Sequence, residues 1–234
     1  ARRFTADFTS DFLHHATLEP MNCLASVTED GIEIWAPTQA PSVLTFAAAG
    51  ALQRDPSTVT VHQTLLGGGF GRKVDTDFGL DAVMVSDMIG APAKVIWTRE
   101  DDVQHDKYRP LTAQRIEAGV DENGTILGWS HRAVGQSIAA RFRPDAFEAS
   151  GGKDESFVEG GHTFYALGDH RLDFVHSDDG IDTGFWRAVG AGYTKFAVEQ
   201  VIDEIATDLG RDPLQYRIDL LAEDPRGQAV LRRV

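Results

Sequence analysis

Val59-Thr60-Val61-His62-Gln63-Thr64-Leu65-Leu66-Gly67-Gly68-Gly69-Phe70-Gly71-Arg72-Lys73 is the most informative segment of this chain. Its first half is β-branched and apolar and predicts a strand over Val59–Leu66. The glycines end that strand. A helix is predicted beyond them from Thr76 to Ile89, with Gly90 as its C-terminal stop and Pro92 just after. A strand, a glycine turn and a helix invite two phosphate-binding readings, and both fail on residue identity. A P-loop needs glycine directly before its lysine and a hydroxyl residue after it, whereas Arg72 precedes Lys73 and Val74 follows. A dinucleotide fingerprint needs glycine at the sixth place from Gly67, where Arg72 stands. Two readings remain: a tight structural turn, or a loop whose backbone amides approach a ligand closely.

Outward from this segment, Cys23–Thr28 and Ile32–Trp35 flank Glu29-Asp30-Gly31 and predict a hairpin. Pro41–Leu52 predicts a helix with proline at its start, and Asp55-Pro56-Ser57 reads as a break. A strand is expected over Lys94–Thr98. Leu111–Val120 and Ile126–Val134 predict two longer strands around Glu122-Asn123-Gly124. Gln136–Gly161 has no clean period and reads as an excursion, partly helical and mobile or engaged in chain–chain contact. Leu172–Val175 predicts a short strand. Phe196, Ala197, Val201, Ile205 and Leu209 share one face of a helix over Tyr193–Leu209, ended by Gly210. Asp212-Pro213 starts a final helix, Leu214–Leu221. Interleaved strands and helices with frequent hairpins predict an α+β fold with mixed sheets and packed helices.

The chain has 234 residues and a net charge of −14, which argues against binding a nucleic-acid backbone or an anionic membrane surface. A composition 42% hydrophobic and 25% charged is ordinary for a globular protein. One cysteine, Cys23, excludes an internal disulfide, a cysteine zinc site and an iron–sulfur cluster within the chain. The longest apolar stretch, Val43–Leu52, is too short to span a bilayer. The chain opens on Ala1 and shows no signal-peptide pattern, as expected of a processed or excised piece; cytoplasmic and periplasmic locations both stay open.

Further strings gather around the glycine loop. They are His15-Ala16-Thr17-Leu18-Glu19-Pro20-Met21-Asn22, Trp35-Ala36-Pro37-Thr38-Gln39, Trp97-Thr98-Arg99-Glu100-Asp101-Asp102, His105-Asp106-Lys107-Tyr108-Arg109-Pro110 and Phe185-Trp186-Arg187-Ala188-Val189-Gly190. In this order, and over nearly the whole chain, they resemble the molybdenum-binding subunit of the xanthine dehydrogenase and aldehyde oxidase family. The character is most like that of the bacterial isoquinoline 1-oxidoreductase β-subunit and the related aldehyde dehydrogenase molybdopterin-binding subunit.

The resemblance implies roles. Gln39 matches the catalytic glutamine that hydrogen-bonds the molybdenum oxo group. Gly68, Gly69, Phe70 and Gly71 match the loop that lies against the metal centre and its pterin, and Arg187 matches an arginine of a second cofactor-binding loop. Purine-oxidising members carry an acid after the Gly-Lys pair, and Val74 stands there instead as part of the substrate pocket. An apolar wall at that point disfavours xanthine and favours aldehydes or apolar N-heteroaromatic compounds. Arg72, where purine members have glycine, leaves the course of the loop open. The resemblance further implies an oxidoreductase that uses water as its oxygen source. It also implies a molybdopterin cytosine dinucleotide and a partner chain holding a [2Fe-2S] cluster.

The family's general base is a glutamate in a Gly-Glu motif of the C-terminal half, and no Gly-Glu pair occurs here. The chain is therefore expected to be the N-terminal, cofactor-facing portion of a longer subunit, residues 1–234, completed by the C-terminal half and inactive alone. The alternative is a non-catalytic binding or assembly module with the same fold. A weaker idea is an independent nucleotide binder using the glycine loop. The eight histidines show no metal-ligand spacing. His14-His15 point apart, His105 and Asp106 read as structural, and Glu100-Asp101-Asp102 reads as a solvated loop. His176-Ser177-Asp178-Asp179-Gly180 hints at calcium but lacks the twelve-residue pattern.

Overall fold

The computed structural model describes residues 1–178 and 180–234. In chain order run β1 (Arg2–Ser10), β2 (Asn22–Val27), β3 (Ile32–Ala36), α1 (Pro41–Ala51), β4 (Val59–Gln63), α2 (Asp77–Ile89), β5 (Ala93–Ile96) and α3 (Arg99–Gln104). They continue with β6 (Thr112–Val120), β7 (Ile126–Gly135), α4 (Ile138–Phe142), α5 (Pro144–Ala149), α6 (Glu155–Val158), β8 (Asp169–His176), α7 (Ala191–Asp208), α8 (Pro213–Leu220) and α9 (Pro225–Leu231). The expected α+β class holds: two mixed sheets, each with packed helices. The chain divides into two compact units, one of residues 13–109 and 182–187, the other of residues 1–12, 110–181 and 188–234.

In the first unit the sheet order is β4-β3-β2-β5. The Asp30-Gly31 turn closes the β2–β3 hairpin, and β3 and β4 run parallel, with α1 as the crossover between them. Alternate residues of the hairpin, Cys23, Ala25 and Val27 with Ile32, Ile34 and Ala36, turn inward. Leu44, Ala48 and Ala49 of α1 and Phe78, Ala82 and Val83 of α2 complete this core. Strand β4 stops at Gln63, so Thr64–Leu66 already belong to the loop.

The Glu100-Asp101-Asp102 stretch is not a solvated loop. It lies in α3, opened by a capping box: Thr98 Oγ1 accepts from Asp101 N at 3.1 Å, and Thr98 N donates to the Asp101 carboxylate at 3.1 Å. The Thr98→Ala variant is expected to lose about 1 kcal/mol of stability, read as a lower midpoint in thermal unfolding.

In the second unit the sheet order is β1-β6-β7-β8, with β7 and β8 parallel and the other pairs antiparallel. Strand β6 buries every second residue: Thr112, Gln114, Ile116, Ala118 and Val120. Helix α7 covers that face with Ala197, Val198, Val201, Ile202, Ile205 and Ala206. Phe196 does not share this face as the spacing predicted. It is 58% exposed and meets Phe8 edge-on at 6.0 Å, because the buried stripe is centred one step further round the helix. The Gln136–Gly161 excursion forms α4, α5 and α6, ordered by Asp154, which accepts from Ser137 Oγ at 2.6 Å and Ala139 N at 3.1 Å. Among the described residues no helix is long and apolar enough to cross a membrane.

Candidate functional site

The glycine loop lies within the first unit, and its geometry follows from charges buried beneath it. Glu19 clamps the start of the loop. Its N–H donates to Gly67 O at 3.1 Å, and its carboxylate accepts from Gly67 N at 2.8 Å and from Lys73 Nζ at 2.5 Å. Burial alone would raise the Glu19 pKa. The Lys73 ammonium, the Gly67 N–H and the Asn22 amide outweigh it and hold the carboxyl below its ordinary range.

Arg72 turns inward and is fully buried, with two parallel hydrogen bonds to Asp77 at 2.9 and 2.8 Å. Its Nε stands 3.0 Å from Asp106 Oδ1, an ion-pair contact without the alignment of a hydrogen bond. Its guanidinium carbon lies 5.5 Å from the Trp97 ring centre. Asp106 is buried too. Desolvation pushes its carboxyl up, but hydrogen bonds from His15 and the charges of His15 and Arg72 pull it below the usual range. These residues set the course of the loop that Arg72 had left open in the sequence.

Above this layer stand the residues singled out in the sequence. Gln39 follows β3, and its N–H donates to Lys73 O at 2.8 Å. Its side-chain oxygen accepts from Gly71 N at 3.0 Å. Only an acceptor can face that N–H, so the amide orientation is fixed by chemistry and the NH₂ end points away from the bond. A side chain at Gly69 would come within 2.4 Å of Gln39 Oε1, and a Cβ on Gly71, at φ +107°, would lie 1.7 Å from Phe185 O.

Phe70 has φ +51°, a left-handed conformation rare for a bulky residue. Its carbonyl accepts from Arg187 N at 2.8 Å. The Arg187 guanidinium sits 5.5 Å from the Phe70 ring centre and 5.3 Å from that of Trp186. Gly68 lies beneath the Phe70 ring. Gln39, Gly68, Gly69, Phe70, Gly71 and Arg187 therefore form one connected group. Val74 is half-buried at the end of the turn that follows, bonded through its N–H to Gly71 O at 3.1 Å.

Sequence reasoning missed His15, Glu19, Arg72, Lys73 and Asp106 as parts of this group. Their signal was present in the quoted strings, as charged residues flanking the motif positions. The acids of α3 are engaged internally, Asp101 in the capping box and Asp102 with Arg99 at 2.5 Å. Cys23 is buried and its thiol is pushed up to about 12, far from a thiolate at neutral pH. Among the described residues no group of three acidic, histidine or cysteine side chains converges as a metal site. Asp179 of the calcium-like stretch lies outside the described residues.

Residues 1–219 match the sequence profile of the molybdopterin cofactor-binding domain. The isoquinoline 1-oxidoreductase subunit beta of Brevundimonas diminuta is 36% identical over 230 residues, covering 97% of this chain and 29% of that protein. The membrane-bound aldehyde dehydrogenase (pyrroloquinoline-quinone) of Gluconacetobacter polyoxogenes is 34% identical over 233 residues, covering 95% of this chain and 30% of that protein. The aldehyde oxidoreductase structure of Desulfovibrio gigas superposes with a TM-score of 0.78 over 93% of this chain and 24% of that one, a likeness of fold at 20% identity. This chain spans less than a third of the length of these relatives. The profile covers nearly all of the sequence and the fold agrees with it: the chain belongs to the molybdopterin cofactor-binding domain family of the xanthine dehydrogenase and aldehyde oxidase superfamily.

Proposed function

We propose that this chain is the cofactor-facing portion of the molybdenum-binding subunit of a hydroxylase that oxidises aldehydes or hydroxylates N-heteroaromatic compounds with water as oxygen source. The observation that carries the reading is the Gln39 carboxamide. Its oxygen is engaged by Gly71 N–H, so its NH₂ end offers neutral donors beside a loop whose backbone at Gly69 and Gly71 packs too closely on Gln39 and Phe185 to admit a side chain. Neutral amide donors and the Arg187 cation suit a group that presents oxygen acceptors, as molybdopterin cytosine dinucleotide does. When bound, that group supplies a two-electron redox centre for oxidation of a substrate carbon.

This chain's own residues bind and orient. Gln39 donates hydrogen bonds without adding charge. The backbone of Gly68, Gly69, Phe70 and Gly71 would lie against the cofactor, and Arg187, held over the Phe70 and Trp186 rings, would balance its negative charge. Val74 gives the substrate an apolar neighbour where a carboxylate would hold a purine, so xanthine loses a partner there. One of the two relatives is named for an N-heterocycle and the other for an aldehyde, in keeping with both substrate classes. Cys23 alone cannot hold an iron–sulfur cluster, so a [2Fe-2S] cluster that accepts the electrons would have to be held by a partner chain. The general base comes from the C-terminal half of the subunit, and the isolated chain is expected to oxidise neither class.

Elemental mass spectrometry tests this on the longest native subunit, co-expressed with its genomic neighbours, and on the 234-residue chain. Stoichiometric molybdenum in the native complex and little in the chain is the expected result. Absence of molybdenum from both would overturn the enzyme reading and leave a non-catalytic module. In the native complex the Gln39→Ala variant is expected to keep its metal while turnover of an aldehyde or N-heterocycle falls about 100-fold.

A further inference from the structure

His15 is buried, and both of its ring nitrogens face oxygen acceptors. Nδ1 lies 2.9 and 3.0 Å from the two Asp106 carboxylate oxygens, and Nε2 lies 2.8 Å from Phe185 O. A neutral imidazole carries one N–H, so one of these contacts would set a nitrogen lone pair against an oxygen lone pair. Only the imidazolium donates to both. Charge balance points the same way. Arg72 donates its two-pronged hydrogen bond to Asp77 and shares its charge with Asp106, so one guanidinium faces two carboxylates and Asp106 remains the buried anion that His15 faces. Asp106 also accepts from the N–H groups of His15 and Lys107, at 2.7 and 2.8 Å, and its charge acts on the nearby Tyr108 phenol. Asp102 stands nearby, paired with Arg99.

The second acceptor matters because of where it is. Phe185 O is the atom packed against Gly71 Cα, where no side chain fits, and two residues later Arg187 N donates to Phe70 O. Trp186 Nε1 adds a bond to His14 O at 3.3 Å. The imidazole thus joins a buried carboxylate to the segment that carries Arg187.

We propose that His15 is a positioning residue held as an imidazolium, donating from Nδ1 to Asp106 and from Nε2 to Phe185 O, and so fixing the Phe185–Arg187 segment against the Phe70–Gly71 backbone. This rests on the proposed function only in giving the place of Arg187 a purpose; the protonation state and the contact stand without it.

Nitrogen-15 NMR of the histidine rings in the 234-residue chain at pH 7.5 reads the first point, with His15 assigned through the His15→Gln variant. Both His15 nitrogens are expected in the protonated range. One unprotonated nitrogen would overturn the proposal. In the Asp106→Asn variant the carboxylate charge is gone, and one nitrogen is expected to move to the unprotonated range; two protonated nitrogens there would show that Asp106 does not hold the second proton.

Amide hydrogen exchange reads the positioning. In the His15→Gln variant the Arg187 N–H is expected to exchange about tenfold faster, with Ile34 in β3 unchanged. Unchanged Arg187 protection would sink the positioning role, and a loss shared by Ile34 would show general destabilisation instead. Should the variant not fold, His15 is assigned in the wild-type chain from ring-proton contacts with Phe185, and the ring spectrum still decides its protonation state. None of these readouts needs molybdenum, so a failure here is separable from a failure of the cofactor reading.

Discussion

The Arg72→Met variant is expected to unfold with about 3–5 kcal/mol less stability than the parent, seen in urea denaturation followed by circular dichroism and Trp emission. Methionine fills much of the same space, so the loss is electrostatic rather than a cavity. Asp77 is partly exposed and regains water, but Asp106, at 3% side-chain exposure, keeps only His15 and backbone donors. Breaking one side of a buried charge network strands the other side, and that is the expensive step.

The pH profile supplies a second signature. The Asp106 carboxyl is held below its ordinary range in the fold, so the stability it contributes is present above the unfolded carboxylate pKa and is lost as pH falls through the folded one. Glu19 shifts in the same direction and adds to the same acid limb. Removing Arg72 takes away one cation that favours ionised Asp106, so the acid limb should become shallower. The Arg72→Met/Asp106→Asn double variant should be more stable than the sum of the single losses by about 1–3 kcal/mol. Strict additivity would mean that the two side chains do not act together.

The Gly71→Ala variant is expected to lose about 3–5 kcal/mol or to refold the loop locally. The added Cβ would stand 1.7 Å from Phe185 O, and φ is +107°. No rotamer relieves a clash with backbone. The Phe185 segment must retreat, taking with it the bond from Arg187 N to Phe70 O and the contact of His15 with Phe185 O. Gly90→Ala is the control. Its φ is +62°, nothing lies within 4 Å, and the cost should be about 1 kcal/mol of backbone strain alone. Similar losses for the two variants in urea denaturation would show that backbone conformation, not the packing of Phe185 against Gly71, makes position 71 special.

Turn and cap chemistry makes the local part of the fold legible in the sequence. Asp30-Gly31 announced the hairpin, Pro41 the start of α1, Gly90 the end of α2 and Gly210 the end of α7. The dipeptide Asp-Pro shows how context misleads. At Asp212-Pro213 the sequence predicts a helix start, at Asp55-Pro56 it reads as a break, and Asp224-Pro225 carries no expected element. In all three places the Asp carboxylate accepts an N–H two or three residues on and a helical turn follows. Strand β1 carries the alternation Phe4, Ala6, Phe8, but its inward face is only half-buried and its partner, β6, lies more than a hundred residues away. The site divides along the same line. Gln39, Phe70 and Arg187 were legible because whole strings resemble a family. Asp106 sits in a polar run that looks solvated, and only His15 and Arg72, both remote in sequence, reveal it as buried.

The order of the chain has a consequence for synthesis. His15 and Phe185 are 170 residues apart, although both belong to the same compact unit. On the ribosome, residues 13–109 emerge with the glycine loop while 182–187 have yet to be translated. At about 5–20 residues per second the gap lasts roughly 4–15 seconds. For that interval the nascent loop has neither the Phe185 carbonyl nor the Arg187 amide to hold Phe70 in its left-handed geometry. Translation pauses between the codons for Pro110 and Arg187 would lengthen the time that Phe70 and the uncovered charge cluster stand open to chaperones and proteases. Synonymous codon choice in that interval therefore bears on how much protein reaches the state that can accept a cofactor.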